Sequence, residues 1–281
     1  MTTESPTTCG AAVRSSDWLD AIVCGDCLEE MPKMPAQSVD AIISDLPYGT
    51  TACKWDSVIP FAPLWAEWKR LLKPGGVIVL TASQPFTSAL VMSNPKLFKY
   101  EWIWVKNQPS GMALANRMPM KYHEVVCVFY DRQCTYNKQP ASRGSEKAKA
   151  VVKNGVRGKH HTVTNGARLN VPDVRYYNPE NVNPKSVLEF PCVPNGGGGR
   201  LHPTQKPESL MRYLVRTYTN PGDVVLDPCC GSGTTCVAAK QEGRHYTGIE
   251  KDPQYAEIAK QRTHETLGMA SNAELSDSRP L

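Results

Sequence analysis

Short, almost wholly apolar runs alternate with amphipathic stretches along most of this chain, and that alternation constrains the fold more than any other feature. Val39–Ser44, Val77–Leu80, Trp102–Val105, Glu124–Phe129, Asp223–Leu226 and Tyr246–Ile249 are short enough for strands and too apolar for one solvated face. Between them, Leu64–Leu72 places Leu64, Trp65, Trp68, Leu71 and Leu72 at helical spacing, and Lys73-Pro74-Gly75-Gly76 stops that helix. Leu210–Tyr218 and Thr234–Glu242 carry the same helical pattern. Strands apolar on both sides need a cover on both sides. The pattern therefore predicts an α/β fold, a mostly parallel sheet with helices on both faces.

The middle of the chain breaks the pattern. From Asp131 to Arg200 the apolar periodicity collapses, and twelve Lys and Arg residues face five Asp and Glu. Asn, Gly and Pro are abundant there, and Gly196–Gly199 reads as a hinge. A polar segment of this kind is commonly a solvated loop; its length and charge make it a candidate nucleic-acid contact region, with Lys147, Lys149, Lys153, Arg157 and Lys159 as the densest stretch. The expected organisation is a tail at 1–16, a first half of the α/β domain at 17–130, the basic insertion at 131–200, a second half at 201–267 and a tail at 268–281. Both tails read as disordered from their polar, aperiodic composition. The chain of 281 residues is 41% hydrophobic with a formal charge of +5, enough for a sizeable core and compatible with a polyanionic partner. No apolar run has membrane-spanning length and no charged-then-apolar leader opens the sequence, so a non-membrane, cytoplasmic protein is expected.

Ten cysteines lie mostly inside apolar or glycine-rich segments and lack the spacing of a disulfide scaffold, which predicts reduced thiols. Cys24-Gly25-Asp26-Cys27 has the spacing of a metal knuckle, yet no second pair completes a zinc site; Cys229–Cys230 and His160–His161 are adjacent residues. No metal is expected.

Two loops carry the chemistry. The strand ending at Leu226 runs into Asp227-Pro228-Cys229-Cys230-Gly231-Ser232-Gly233 and then a helix opening at Thr234. Glycines there let the backbone approach a ligand, and the helix start offers free N–H groups. Glu250 follows the next strand, about twenty residues on, where a carboxylate accepts from a ribose. The third glycine of a dinucleotide fingerprint is missing, so a nucleoside cofactor without pyrophosphate fits better. The other loop, Ser44-Asp45-Leu46-Pro47-Tyr48-Gly49, leaves the carboxyl end of a buried strand. It combines an acceptor, a stiff backbone and an aromatic plate, the set a planar base bearing an amino group needs; a turn with a helix-capping Asp would look similar.

Together these segments resemble the amino-methylating DNA methyltransferases of the β arrangement, in which the catalytic motif precedes the cofactor motif. Asp45-Leu46-Pro47-Tyr48 is similar to the family's Asp-Pro-Pro-Tyr, and Cys229-Cys230-Gly231-Ser232-Gly233 to its Phe-x-Gly-x-Gly. His202-Pro203-Thr204-Gln205-Lys206-Pro207 resembles the segment holding the methionine end of the cofactor, and Cys24–Cys27 the adenine-contacting one, which gives Asp26 a role. Leu71–Gly76 and Trp104–Asn107 match further landmarks, so the likeness runs from about Val23 to Arg262. It implies a Rossmann-like methyltransferase fold with permuted motif order, S-adenosylmethionine as cofactor, and Asp45, Leu46, Pro47 and Tyr48 as the catalytic loop. It further implies cofactor contacts from Asp26, His202, Thr204, Lys206, Asp227, Pro228, Cys229, Gly231, Ser232, Gly233, Thr234 and Glu250. Double-stranded DNA is the implied substrate, with the basic insertion as its target-recognition region; members often dimerise, and a bacterial or phage source is implied.

Two positions depart from the family. Leu46 stands for the first proline of the catalytic motif and leaves φ unfixed, though its carbonyl is still an acceptor. Cys229 stands for the Phe that packs on the cofactor's adenine. Asp at the head of the catalytic motif leans toward N6 of adenine, because cytosine-N4 enzymes more often carry Ser there. The N4-cytosine activity and a catalytically silent DNA-binding scaffold stay open on sequence alone. A protein-glutamine methyltransferase has a similar acceptor motif but places its cofactor loop first. Replacing the lysines of the 147–159 stretch should weaken DNA binding and flatten its dependence on salt, read as the slope of log affinity against log salt; an unchanged slope returns the stretch to plain loop.

Overall fold

In the computed structural model the residues described are 18–51, 56–139, 163–164, 167–168, 183–194 and 200–266. The chain divides into two compact units, one built from 1–137 with 186–281 and the other from 138–185.

The first unit is organised on an eight-stranded sheet. Its strands are β1 (Ala21–Cys24), β2 (Val39–Ser44), β3 (Leu72–Ala82), β4 (Phe98–Ser110), β5 (Lys121–Phe129), β8 (Val187–Glu189), β9 (Val224–Asp227) and β10 (His245–Glu250). They lie in the order β1-β10-β9-β2-β3-β5-β4-β8. Every neighbouring pair is parallel except those made by β5, which runs against both β3 and β4. The α/β class and the mostly parallel sheet expected from the apolar runs are therefore present.

Alternation along the strands builds two cores. On one side Ala41, Ile43, Val77, Val79, Val126, Val128 and Val225 pack against α4 (Glu208–Tyr218), α5 (Thr234–Gln241) and α6 (Pro253–Glu265). On the other, Ile42, Ile78, Leu80, Cys127, Phe129, Leu226 and Ile249 meet α2 (Phe61–Leu71), α3 (Phe86–Ser93) and the short α1 (Cys27–Glu30). Side chains one residue apart point to opposite faces, so each strand must be apolar throughout to serve both layers. In α2 the fully buried residues are Leu64, Trp68 and Leu71, three and four apart, which is the stripe read from the sequence.

The ends of the expected insertion pack on the sheet. Cys134 and Leu188 are buried in the first core, and the Trp104 indole N–H donates to the Phe190 carbonyl at 2.8 Å. Within the second unit the described secondary structure is an antiparallel strand pair, β6 (Val163–Thr164) with β7 (Ala167–Arg168). Lys147, Lys149, Lys153, Arg157 and Lys159, like both predicted tails, fall outside the described residues. Among the described residues no helix is long and apolar enough to cross a membrane, and the eight cysteines are free thiols.

Close packing is tightest where β10 passes under the glycine turn. A Cβ on Gly248 would lie 2.6 Å from Ile22 Cδ1, 2.8 Å from Cys236 Sγ and 3.0 Å from Cys230 Sγ, all in the core. Gly248→Ala should cost about 1–3 kcal/mol of stability through overpacking, read as a lower midpoint in denaturant at unchanged m-value; wild-type stability contradicts this packing.

Candidate active site

Strand order brings the two chemical loops together. β2 and β9 are neighbours, pairing Ala41 with Val225 and Ile42 with Leu226, so Asp45-Leu46-Pro47-Tyr48 and the glycine turn leave adjacent carboxyl ends. In open α/β sheets such a point is where ligands bind. The Ser44 hydroxyl donates to Asp227 Oδ1 at 2.7 Å and ties the strand ends to one another. A cavity of about 1240 Å³ opens above them, lined by both loops together with Asp26, His202, Thr204, Lys206 and Glu250.

Asp45 is engaged on both oxygens. Oδ1 accepts from the Tyr48 hydroxyl at 2.6 Å and from the Thr81 hydroxyl at the end of β3, and Oδ2 accepts from Lys206 Nζ at 2.7 Å. Burial, then the charges of Asp45 and Glu124, hold the Tyr48 phenol well above its ordinary pKa, so it stays a donor. The Tyr48 ring stacks on Phe86 at 5.1 Å, and the Lys206 ammonium lies over the ring at 5.4 Å. Burial opposes the charge on Lys206, but Asp45 and Glu124 outweigh it and raise its pKa. The loop beyond Tyr48 is fixed by Asp56, which accepts from the N–H groups of Gly49, Thr50 and Thr51 at 2.8, 2.9 and 2.6 Å. Leu46 is 3% exposed, so packing restrains the backbone that a proline would otherwise stiffen.

The second loop is braced from β10 and α6. Glu250 accepts from Gly231 N–H on Oε2 at 2.7 Å and from Asp252 N–H on Oε1 at 2.8 Å; burial raises its pKa. Arg262 of α6 donates to the Ser232 carbonyl at 2.5 Å and to Thr234 Oγ1 at 3.1 Å. Asp26 caps α1 through Leu28 N–H at 2.9 Å and pairs with Lys251 at 2.9 Å, and Lys251 lowers its pKa. The imidazole of His202 packs edge-on against Tyr255 at 4.2 Å, beside Gly231, and hydrogen-bonds Thr204 through Nδ1 at 3.1 Å. The thiols of Cys27 and Cys229 are close enough to shift each other's pKa, down for Cys27 and up for Cys229, so a second sulfur stands near the position where the family has Phe.

Two placements differ from expectation. Gly233 is absent from the cavity wall: its φ is +78°, and a Cβ there would meet Ala259 Cβ at 2.9 Å. Its glycine serves the close approach of the turn to α6. Lys206, expected at the methionine end of the cofactor, lines the cavity and also reaches Asp45. Other contributors escaped the sequence altogether. Glu124 sits half-buried between Lys106 at 3.2 Å and Lys206 at 3.4 Å, and Thr81 holds Asp45. The available signal for Glu124 was a charged residue heading the otherwise apolar Glu124–Phe129 run. Among the described residues no cluster of His, Cys, Asp and Glu is placed to hold a metal ion.

Asp227, between the two loops, is a buried acid with a clear electrostatic signature. Burial pushes its carboxyl up to about 6, against the hydrogen bonds from Ser44, Thr235 and Cys229 N–H that favour the charge. An acid whose folded pKa exceeds its unfolded value, about 3.9, binds its proton more readily when folded. Its ionisation therefore destabilises the fold above the folded pKa, and the penalty fades as pH falls toward the unfolded one. Asp227→Asn keeps an acceptor and removes the charge. It should raise the melting temperature most at about pH 8, by the equivalent of roughly 1–3 kcal/mol, and the gap should close as pH drops below about 6. A gap of constant size in thermal melts contradicts the assignment.

Comparison with known proteins agrees with this geometry. A family profile described as DNA methylase, of the N6/N4 type, matches residues 39–261. The chain is 31% identical over 258 residues to the DNA adenine methyltransferase YhdJ of Escherichia coli K12, covering 86% of this chain and 81% of that protein. It is 27% identical to the type II methyltransferase M.HinfI of Haemophilus influenzae, covering 92% of this chain and 72% of that one. Among solved structures, the M1.HpyAVI–SAM complex superposes with a TM-score of 0.58 at 26% identity, covering 86% of this chain and 98% of that one. The cytosine-N4-specific PvuII DNA methyltransferase shares the fold, with a TM-score of 0.59 at 16% identity, over 91% of this chain and 89% of that one. With the profile matched over most of its length, the chain belongs to the N6/N4 DNA methylase family, S-adenosylmethionine-dependent methyltransferases.

Proposed function

We propose that the chain methylates N6 of adenine in duplex DNA, with Asp45 and the Leu46 carbonyl as acceptors for the target amino group. The observation that carries this reading is the fixed carboxylate of Asp45, aligned by Tyr48, Thr81 and Lys206 in the cavity shared with the glycine turn. Adenine is favoured over cytosine by Asp at the head of the loop and by the adenine activity named for the 31%-identical relative.

An exocyclic amino nitrogen is a poor nucleophile because its lone pair is delocalised into the ring. Two acceptors on its hydrogens draw it toward tetrahedral geometry and localise the pair. Asp45 and the Leu46 carbonyl supply those acceptors, and their preorganisation supplies the rate through alignment and charge. Bound S-adenosylmethionine supplies a sulfonium methyl: the N–C bond forms as the C–S bond breaks, and sulfur keeps the bonding pair. The nitrogen then sheds one proton, and the Asp45 carboxylate is the base beside it. The target base has to leave the helix to reach this depth. Tyr48, backed by Phe86, offers it a stacking surface worth about 1–3 kcal/mol in comparable sites.

The cofactor fits the other side of the cavity. Gly231, free of a side chain, is open toward His202, and Glu250 is positioned beside it to accept from ribose hydroxyls. Asp26, Pro228 and Cys229 line the part of the wall suited to a nucleobase, and His202 and Thr204 lie near the methionine end. Ser232 and Thr234 support the turn through Arg262. The 138–185 unit, basic in sequence, is the region assigned to target recognition, and Lys147 to Lys159 its phosphate contacts.

The test is transfer from methyl-labelled S-adenosylmethionine to mixed-sequence duplex DNA, with the product digested to nucleosides and resolved by mass. Label in N6-methyladenine is expected; label in N4-methylcytosine overturns the base assignment, and none in either overturns the activity. Asp45→Ala should lower transfer by about 10²-fold or more, while the cofactor still raises the variant's melting temperature.

A further inference from the structure

Asp45 Oδ2, the oxygen not used by Tyr48 and Thr81, is occupied by the Lys206 ammonium. An amino hydrogen arriving there must share that oxygen with a full positive charge or displace it. A buried ammonium has to find another anion when it moves, since an unpaired charge in this environment is strongly disfavoured. Lys206, with its side chain only 10% exposed, has one such anion at hand: Nζ lies 2.7 Å from Asp45 Oδ2 and 3.4 Å from Glu124 Oε2. That second oxygen is buried and accepts no hydrogen bond of good geometry, while Glu124 Oε1 is held by Lys106 at 3.2 Å. A buried carboxylate oxygen whose nearest donor stands at 3.4 Å, beyond a good hydrogen bond, has room to take that donor more closely.

We propose that Glu124 is a positioning residue for methyl transfer: its Oε2 receives the Lys206 ammonium when the target amino group engages Asp45. The inference rests on the amino-acceptor role proposed for Asp45 above. A sub-ångström change in the difference between two contacts exchanges the partner, and no charge leaves the site. Lys106 fixes the receiving carboxylate from behind, and the Ser110 hydroxyl, 3.3 Å from Lys106 Nζ, helps to fix that lysine. The charged and titratable groups facing Lys206 are Asp45 and Tyr48 from the catalytic loop, Glu124 from β5 and His202 from its own segment. Lys106 and Lys121 face Glu124 from β4 and β5.

Single-turnover transfer by Glu124→Gln and Glu124→Asp tests this. Glu124→Gln should slow the chemical step by about 10²-fold, with affinities for S-adenosylmethionine and DNA within about three-fold of wild type. Removing the Glu124 charge lowers the pKa of Lys206, so raising the pH neutralises the lysine, releases Asp45 and shrinks the deficit. Glu124→Asp keeps the charge and should recover most of the rate. Wild-type rates in Glu124→Gln, a deficit equal at every pH, or Glu124→Asp as slow as Glu124→Gln each overturn the proposal. A wild-type complex with S-adenosylhomocysteine and duplex DNA answers independently of folding: Lys206 Nζ is expected on Glu124, and a lysine still on Asp45 overturns the exchange. Wild-type protein that transfers no methyl to DNA would instead sink the underlying activity, a distinct result.

Discussion

The pairing of β2 with β9 is the contact on which the site depends. These strands are joined at their ends by a hydrogen bond between residues 183 apart in sequence, Ser44 and Asp227. Without that parallel pairing the acceptor loop and the glycine turn would sit on separate halves of the chain. With it, both emerge from neighbouring carboxyl ends, where strand dipoles and open backbone groups face a common space. The cost is concentrated in Asp227, whose buried carboxylate is stabilised by hydrogen bonds that only partly offset its loss of water. Joining the halves through a polar bond gives the strand ends a defined register that apolar contact would leave looser.

Charge in the cavity is arranged in alternation. Asp45, Lys206, Glu124 and Lys106 form a chain of opposite signs running from β2 across to β5 and β4. Low dielectric makes each unpaired member costly, so the four sustain one another, and burial pulls against charge at both Glu124 and Lys206. The antiparallel strand β5 is what makes the chain possible. It enters the sheet from the opposite end and therefore begins, at Lys121–Glu124, where its antiparallel neighbours β3 and β4 finish.

Much of this was legible in the sequence for identifiable reasons. β2 and β9 carry apolar residues toward both faces, Ile42 and Leu226 on one and Ile43 and Val225 on the other, because both faces are covered, and α2 and α4 keep stripes at helical spacing. Asp45 and Gly231 stood out because motif residues at strand ends are tied to local chemistry. Helix α3 escaped notice: it follows Pro85 with no capping side chain. In α6 only Ala256, Ala259 and Thr263 are buried, too small a stripe to read. β8 is three residues long and exists through its pairing with β4. Glu124, Thr81 and the partner of Lys206 were invisible because their roles arise from strand order, which no local pattern encodes. Gly233 was legible as a glycine but not as a packing one, since Ala259 approaches from a distant helix.

The chain on either side of the 138–185 unit is held at fixed points, at α4 before it and at β4 after it. Asn137 N–H donates to the Thr217 carbonyl at 2.7 Å, and the Ser186 carbonyl accepts from Ile103 N–H at 2.8 Å. Both ends are thus anchored by backbone contacts that do not involve the residues between them. Closing a longer loop between fixed ends costs only about 0.6 kcal/mol for each doubling of its length. Sequence and length in that stretch are therefore nearly decoupled from the thermodynamics of the sheet. A scaffold with this wiring can accept change between the two anchors while the strand ends that carry Asp45 and the glycine turn stay in place.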